Sequence, residues 1–367
     1  MAVVGGRVRR REALTDRLRW SSVSRRRDDE DAPLHDTIVD AKTTRRGVGA
    51  RTKDDTRDAN LVGAMFGPYL VQDRLGGGAM GVVFRAVHID TNRTIALKVL
   101  RPDLLDETVT VKRFVREARI ASRLGHPHIG GVFELVQAGA RYGLALELVE
   151  GEALTTLLTM PLPPERVTLL VGQLLRGLEH AHAMGLVHRD LKPDNILVEW
   201  RNGRDHARII DFGIAIVRDG GPESVARLTG AGQIIGTPAY MSPEQARAEE
   251  LDTRSDLYSV GVMMYEMLAG ALPFDGRPVD VLAAKLKRDP PPFADKLLVD
   301  PLLERVCMKL LARDPAQRFA TAREALTVLE LLATDRAAAG LSLGIMDTAK
   351  ASAIISLPMP PDPRTRR

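Results

Sequence analysis

The chain has 367 residues, 44% hydrophobic, 27% charged and only 4% aromatic, so it suits a soluble globular protein whose core is built mainly from Leu, Val, Ile and Ala. A single cysteine excludes an intrachain disulfide framework, and no run approaches the roughly 18 apolar residues of a membrane-spanning helix. The formal net charge is +4; residues 1–60 hold 15 Lys+Arg against 11 Asp+Glu, so the whole excess sits there and the remaining residues are neutral.

Residues 1–60 lack apolar periodicity, and Arg25-Arg-Arg-Asp-Asp-Glu-Asp31 sets a basic block against an acidic one. That composition predicts a mostly disordered extension over residues 1–65. A nucleic-acid-binding arm fits poorly, because the charge is mixed and Trp20 is the one interleaved aromatic; no nucleic-acid partner is expected. The apolar residues at the N-terminus precede the arginines, the reverse of a signal peptide, so a cytoplasmic protein without a membrane anchor is expected.

A first strand is predicted over Phe66–Leu75. Gly76-Gly-Gly-Ala-Met-Gly81 follows, then a β-branched run, Val82–His88, that reads as a second strand. In a dinucleotide-binding unit such glycines open a helix; here they join two strands, which fits a flexible flap over phosphates. A third strand, Thr94–Leu100, carries Lys98 among apolar neighbours. An unpaired lysine there would be costly to bury, so an acid partner is expected. The helical spacing of Phe114, Ala118, Ala121 and Leu124 leaves Glu117 at the edge of the apolar face, a suitable partner. Strands over Val132–Gln137 and Tyr142–Leu148 come next, and Pro163-Pro164 suits the start of a helix over Arg166–Met184. The histidines at 126, 128, 180 and 182 are read as structural.

Val187-His-Arg-Asp-Leu-Lys-Pro-Asp-Asn195 then places a carboxylate at Asp190, a cation at Lys192 and an amide at Asn195 on one short loop. Ile209-Ile-Asp-Phe-Gly213 adds Asp211. A proton acceptor, a positive charge and two oxygen ligands for Mg²⁺ are what phosphoryl transfer asks of a protein. Residues 214–235 are polar and Gly-rich and end at Gly236-Thr-Pro-Ala-Tyr-Met-Ser-Pro-Glu244. The apolar run Ser255–Leu268 predicts a buried helix with Met263, Met264 and Met267 as packing residues, and Cys307 lies in another, where a small buried hydrophobe is expected. A last helix is predicted over Ala322–Ala333, with a disordered tail over residues 334–367.

These motifs, in this order, resemble the bacterial eukaryotic-like (Hanks-type) Ser/Thr protein kinases, the resemblance covering roughly residues 66–333. It implies an α+β, two-lobed fold: a small lobe (about 66–148), mainly antiparallel β-sheet with one helix, and a mainly α-helical large lobe (about 149–333). ATP would contact Leu75, Gly76, Gly77, Gly78, Ala79, Met80, Gly81, Val83, Ala96, Lys98, Glu147, Val149 and Leu197, with backbone groups of Glu147 and Val149 facing the adenine. Lys98 held by Glu117 would steady the phosphates, Asn195 and Asp211 would hold Mg²⁺ (Mn²⁺ the alternative), and Asp190 with Lys192 would carry the transfer. Asp256 would bond the catalytic-loop backbone, and Arg318 would pair with Glu244. Arg189 would be balanced by a phosphate on the activation segment, at Thr229 with Ser224 as runner-up. Proteins with Ser or Thr acceptors are the implied partners. Thr37-Ile-Val-Asp40 has a spacing related to those read by forkhead-associated domains, beside the plainer reading as a spacer. A pseudokinase would usually lack the lysine or one of the two aspartates, all present here. The oligomeric state stays open.

Overall fold

In the computed structural model, which describes residues 61–78, 81–101, 108–212, 238–293, 297 and 299–345, the N-terminal strands form one antiparallel sheet. Its strands are β1 (Met65–Phe66), β2 (Tyr69–Gly78), β3 (Gly81–His88), β4 (Thr94–Leu100), β5 (Val132–Ala138) and β6 (Arg141–Glu147), in the order β1-β2-β3-β4-β6-β5. Tyr69 and Val71 alternate with exposed neighbours, so β2 starts with one face on the core. β4 lies inside the sheet, and its residues from Ile95 to Leu100 are all buried. Helix α1 (Thr108–Ala121) buries the stripe Phe114, Ala118 and Ala121, and Leu124 beyond it is buried as well.

A second, three-stranded sheet comprises β7 (Glu152–Ala153), β8 (Ile196–Arg201) and β9 (Arg204–Ile209). The β8–β9 hairpin turns through Asn202 and Gly203, both at positive φ, as two-residue turns that match strand twist require. The helices are α2 (Leu154–Leu157), α3 (Pro164–Ala183), α4 (Pro243–Ala246), α5 (Thr253–Ala269), α6 (Pro278–Lys287), α7 (Pro301–Leu310), α8 (Ala322–Thr334) and α9 (Arg336–Ser342). Helix α5 is apolar on nearly every side because α3 and α7 pack around it, and Met263, Met264 and Met267 are fully enclosed. It starts at Asp252, whose carboxylate accepts the Arg254 N–H, and stops at Gly270, whose left-handed backbone an L-residue resists. Cys307 is buried with its Sγ 3.6 Å from Gly261 O, and burial pushes its thiol up, which leaves it inert.

Several elements depart from the sequence expectations, among them the following. β2 continues through Gly76–Gly78, where backbone pairing with β3 holds the glycines. Helix α6 was not anticipated. Helix α9 lies in the stretch read as a disordered tail: Asp335 caps it by accepting the Ala338 N–H, Arg336 pairs with Asp300 at 2.7 Å, and Ala339 and Gly340 are small enough to bury.

The Arg318–Glu244 pair is present and completely enclosed. Both guanidinium nitrogens lie 2.7 Å from the two carboxylate oxygens, and Ser255 Oγ donates to Glu244 at 2.7 Å. Burial acts to raise the Glu244 carboxyl, but Arg318 outweighs it and holds the group down to about 2. A folded-state value below the ordinary 4.5 means that this stability is complete above 4.5 and is lost as pH falls toward 2. It amounts to about 3 kcal/mol. Urea unfolding between pH 5 and pH 2, as flagged by that window, should therefore show a smaller acid-induced loss for Glu244→Gln than for the native chain; equal slopes would contradict the assignment.

Candidate active site

The loop after α3 and the turn after β9 are sewn together by short bonds. Asp256 in α5 accepts the backbone N–H of His188 on Oδ2 (2.8 Å) and of Arg189 on Oδ1 (2.9 Å). These bonds hold Arg189 at φ 66, a conformation that costs a non-glycine residue energy. Burial acts to raise the Asp256 carboxyl, but His182, whose Nε2 lies 2.8 Å away, and His188 together hold it below the usual carboxylate range. Asn195 Nδ2 donates to Asp190 O at 2.8 Å, Ile210 N to Asn195 O at 2.9 Å, and His188 Nε2 lies 3.0 Å from Ile210 O. His188 also meets the Phe212 ring edge-on at 5.0 Å. Asp190, Lys192, Asn195 and Asp211 are thereby brought into one constellation, with Lys192 Nζ 2.9 Å from Asp190 Oδ2. Asp211 is itself at φ 62, a second strained residue within the site.

Lys98 and Glu117 do not pair with each other here. Lys98 Nζ lies 2.8 Å from Asp211 Oδ2, and Glu117 Oε1 lies 3.1 Å from Arg189 Nη1. Each of the two expected partners is thus engaged by another residue of the site. Burial acts to raise the Asp211 carboxyl, but the Lys98 ammonium holds it below the usual carboxylate range.

The other expected contact residues follow the strands. Leu75 and Gly76–Gly78 lie on β2, the first of these half-exposed; Gly81 opens β3, and Val83 stands opposite Lys98. A Cβ at Gly81 would sit 2.1 Å from Val99 O, so this position accepts only glycine. Ala96 stands opposite Leu146, Val149 is buried, and Leu197 lies on β8 opposite Ala153. Ala79, Met80, Gly213, Ser224, Thr229 and Thr237 lie outside the described residues.

Sequence reasoning missed two partners. Arg208 in β9 is buried and grips the Glu147 carboxylate with Nη1 at 2.7 Å and Nη2 at 2.6 Å, while Nη2 also donates to Ile129 O at 2.8 Å. Glu147 further accepts the Gly131 N–H at 3.1 Å and gives its own N–H to Gly131 O at 2.8 Å. The second is Gln245, whose Nε2 donates to Arg189 O at 2.5 Å and ties α4 to the same loop. An arginine within a polar strand and a glutamine after Pro-Glu give no signal of either bond.

A two-lobed kinase fold with an aspartate-bearing loop of this kind defines a protein kinase domain, and the comparisons agree. The family model described as "Protein kinase domain" matches residues 69–328, and the chain belongs to that family. Within it, the chain falls among the bacterial Hanks-type Ser/Thr kinases. It is 42% identical over 301 residues to the serine/threonine-protein kinase pkn3 of Myxococcus xanthus, covering 80% of this chain and 54% of that protein. It is 34% identical over 262 residues to PrkC of Bacillus subtilis, covering 70% of this chain and 39% of the relative. The chain therefore spans about half or less of these relatives' lengths. The solved kinase domain of PknI from Mycobacterium tuberculosis matches with a TM-score of 0.57 at 28% identity, over 74% of this chain and 98% of that one. Among the described residues no helix is long and apolar enough to cross a membrane.

Asp256→Ala leaves two buried N–H groups without acceptors, each costing about 1–3 kcal/mol. Thermal unfolding should show a clearly lowered Tm, with Asp256→Asn falling between. A Tm for Asp256→Ala within a degree or so of the native value would mean the loop does not depend on this carboxylate; a 1 kcal/mol change would already move Tm by about 2–4 °C at this size.

Proposed function

We propose that the chain transfers a phosphoryl group from ATP to Ser and Thr hydroxyls of proteins, using Mg²⁺ or, alternatively, Mn²⁺, and that it acts in cytoplasmic signalling under control of its own activation segment. The observation that carries this reading is the bonded closure that joins Asp190, Lys192 and Asn195 to the Lys98–Asp211 pair.

The donor set fits a hard divalent cation. Asp211 offers an ionised carboxylate, and Asn195, with its Nδ2 already committed to Asp190 O, has its amide oxygen left for a metal. Bound there, Mg²⁺ would neutralise charge on phosphate oxygens. Asp190 orients the acceptor hydroxyl and takes its proton, Lys192 balances charge on the transferred group, and Lys98 turns from Asp211 to the nucleotide phosphates. At Gly76 and Gly78 a Cβ would stand in open space, so their backbone allows close approach over the phosphates, while Gly81 is required where β3 meets Val99. Turnover for this class is about 1–100 s⁻¹.

Asp190→Asn should lower transfer to an added protein by about 10²–10⁴-fold while ATP affinity changes little. Near-normal turnover would remove Asp190 from the mechanism. Asp211→Asn should instead weaken Mg²⁺-dependent nucleotide binding, and affinity indifferent to Mg²⁺ in both forms would reject the metal assignment.

The Arg189–Glu117 pair supports the switch. A phosphothreonine at Thr229, with Ser224 as the second candidate, brings about −1.5 to −2 charge and three acceptor oxygens. It competes with Glu117 for Arg189, and Glu117 then becomes available to Lys98. Thr229→Ala should reduce transfer with ATP affinity little altered, and Arg189→Ala should reduce it and abolish sensitivity to phosphatase. Full activity in dephosphorylated native protein and in Thr229→Ala would exclude this control. A forkhead-associated partner at phosphorylated Thr37 also belongs to this proposal; an active protein without phosphate on Thr37 would remove it.

A further inference from the structure

Lys285 in α6 is fully buried, and its ammonium donates to two backbone carbonyls, Ala239 O at 2.6 Å and Met241 O at 2.8 Å. Its Nζ also stands 4.9 Å from the centre of the Tyr258 ring, and Arg318 lies 4.9 Å from the same ring. Among the described residues no carboxylate pairs with this ammonium. Burial pushes the lysine down to about 7. A cation enclosed this way burdens the fold, because two neutral carbonyls and a ring face replace its water.

What it holds is the short segment between the activation segment and α4. Ser259 Oγ donates to the intervening carbonyl, Tyr240 O, at 2.9 Å, so three successive carbonyls are pinned from below. Tyr240 Oη donates to Glu266 at 2.6 Å, and the charge of Asp194 reaches both groups. Gln245, a few residues on, bonds Arg189 O beside Asp190. Ser242 N donates to Gln245 Oε1 at 2.8 Å, so the segment that ends at residue 241 is joined through Gln245 to the loop that carries Asp190.

We propose that Lys285 is a positioning residue for the acceptor protein: its buried ammonium fixes the backbone of residues 239–241 as the rail against which the acceptor chain aligns its Ser or Thr. The proposal rests on the kinase reading above.

The test is Lys285→Met, which keeps length and bulk and removes every donor. Steady-state transfer is measured with a Ser/Thr peptide that the native chain phosphorylates, together with KM for ATP and Tm. The expected result is a peptide KM raised by about tenfold or more, the equivalent of one charge-assisted hydrogen bond. KM for ATP should stay within about twofold and Tm should change little, because the relief of a buried charge offsets the loss of donors to Ala239 O and Met241 O. Lys285→Gln, which retains a neutral donor, should fall between. An unchanged peptide KM would overturn the proposal. So would a fall in Tm with peptide and ATP parameters worsening together, or failure of both variants to fold, since each would make Lys285 structural. Absence of transfer by the native chain would instead reject the kinase reading itself.

Discussion

The Asp256 carboxylate is the constraint on which the rest of the site depends. It sits at the start of the most enclosed helix among the described residues and faces the backbone of a strained loop. With both oxygens engaged by N–H groups, the loop cannot relax Arg189 out of its left-handed conformation without stranding buried donors. His182 from α3 bonds the same carboxylate at 2.8 Å, so two core helices converge on the loop that carries Asp190. From there the bonds run outward, through Asn195 and Ile210 to Asp211 and through Gln245 to α4.

Charge at the site is balanced but not assigned once and for all. Lys98 and Arg189 each have a carboxylate within reach, and Glu117 and Asp211 serve as the two acceptors. A new negative charge near Arg189 would compete with Glu117 for its guanidinium. By contrast, the Arg318–Glu244 and Arg208–Glu147 pairs are bidentate and further braced by neighbours, and they behave as fixed joints. The molecule thus combines rigid ion pairs around the site with an exchangeable pair inside it.

Much of this was legible in the amino-acid order. Asp190, Lys192 and Asn195 meet because they share a few residues of chain, and local spacing is what sequence reading sees best. The core stripe of α1 and the methionines of α5 follow from helical periodicity. The pairing of Lys98 was misjudged, because two acids compete for it and only geometry chooses between Glu117 and Asp211. Arg208 and Lys285 gave no signal at all. Each acts across a large separation in sequence on groups that any residue carries, a backbone carbonyl in both cases and a carboxylate in one. Helix α9 was hidden because the whole stretch from 334 on reads as a tail from its Gly, Ser and Pro content, while Asp335 serves as a cap and Gly340 as a packing position.

The central claim is that this constellation phosphorylates hydroxyls of proteins. The most direct measurement is to incubate the purified native chain with ATP, Mg²⁺ and a mixed protein acceptor, and to locate the transferred phosphate by tandem mass spectrometry. The account predicts phosphoserine and phosphothreonine on the acceptor, formed only with Mg²⁺ or Mn²⁺ present. Phosphate confined to tyrosine, or ATP turned over to free phosphate with no acceptor residue modified, would contradict it.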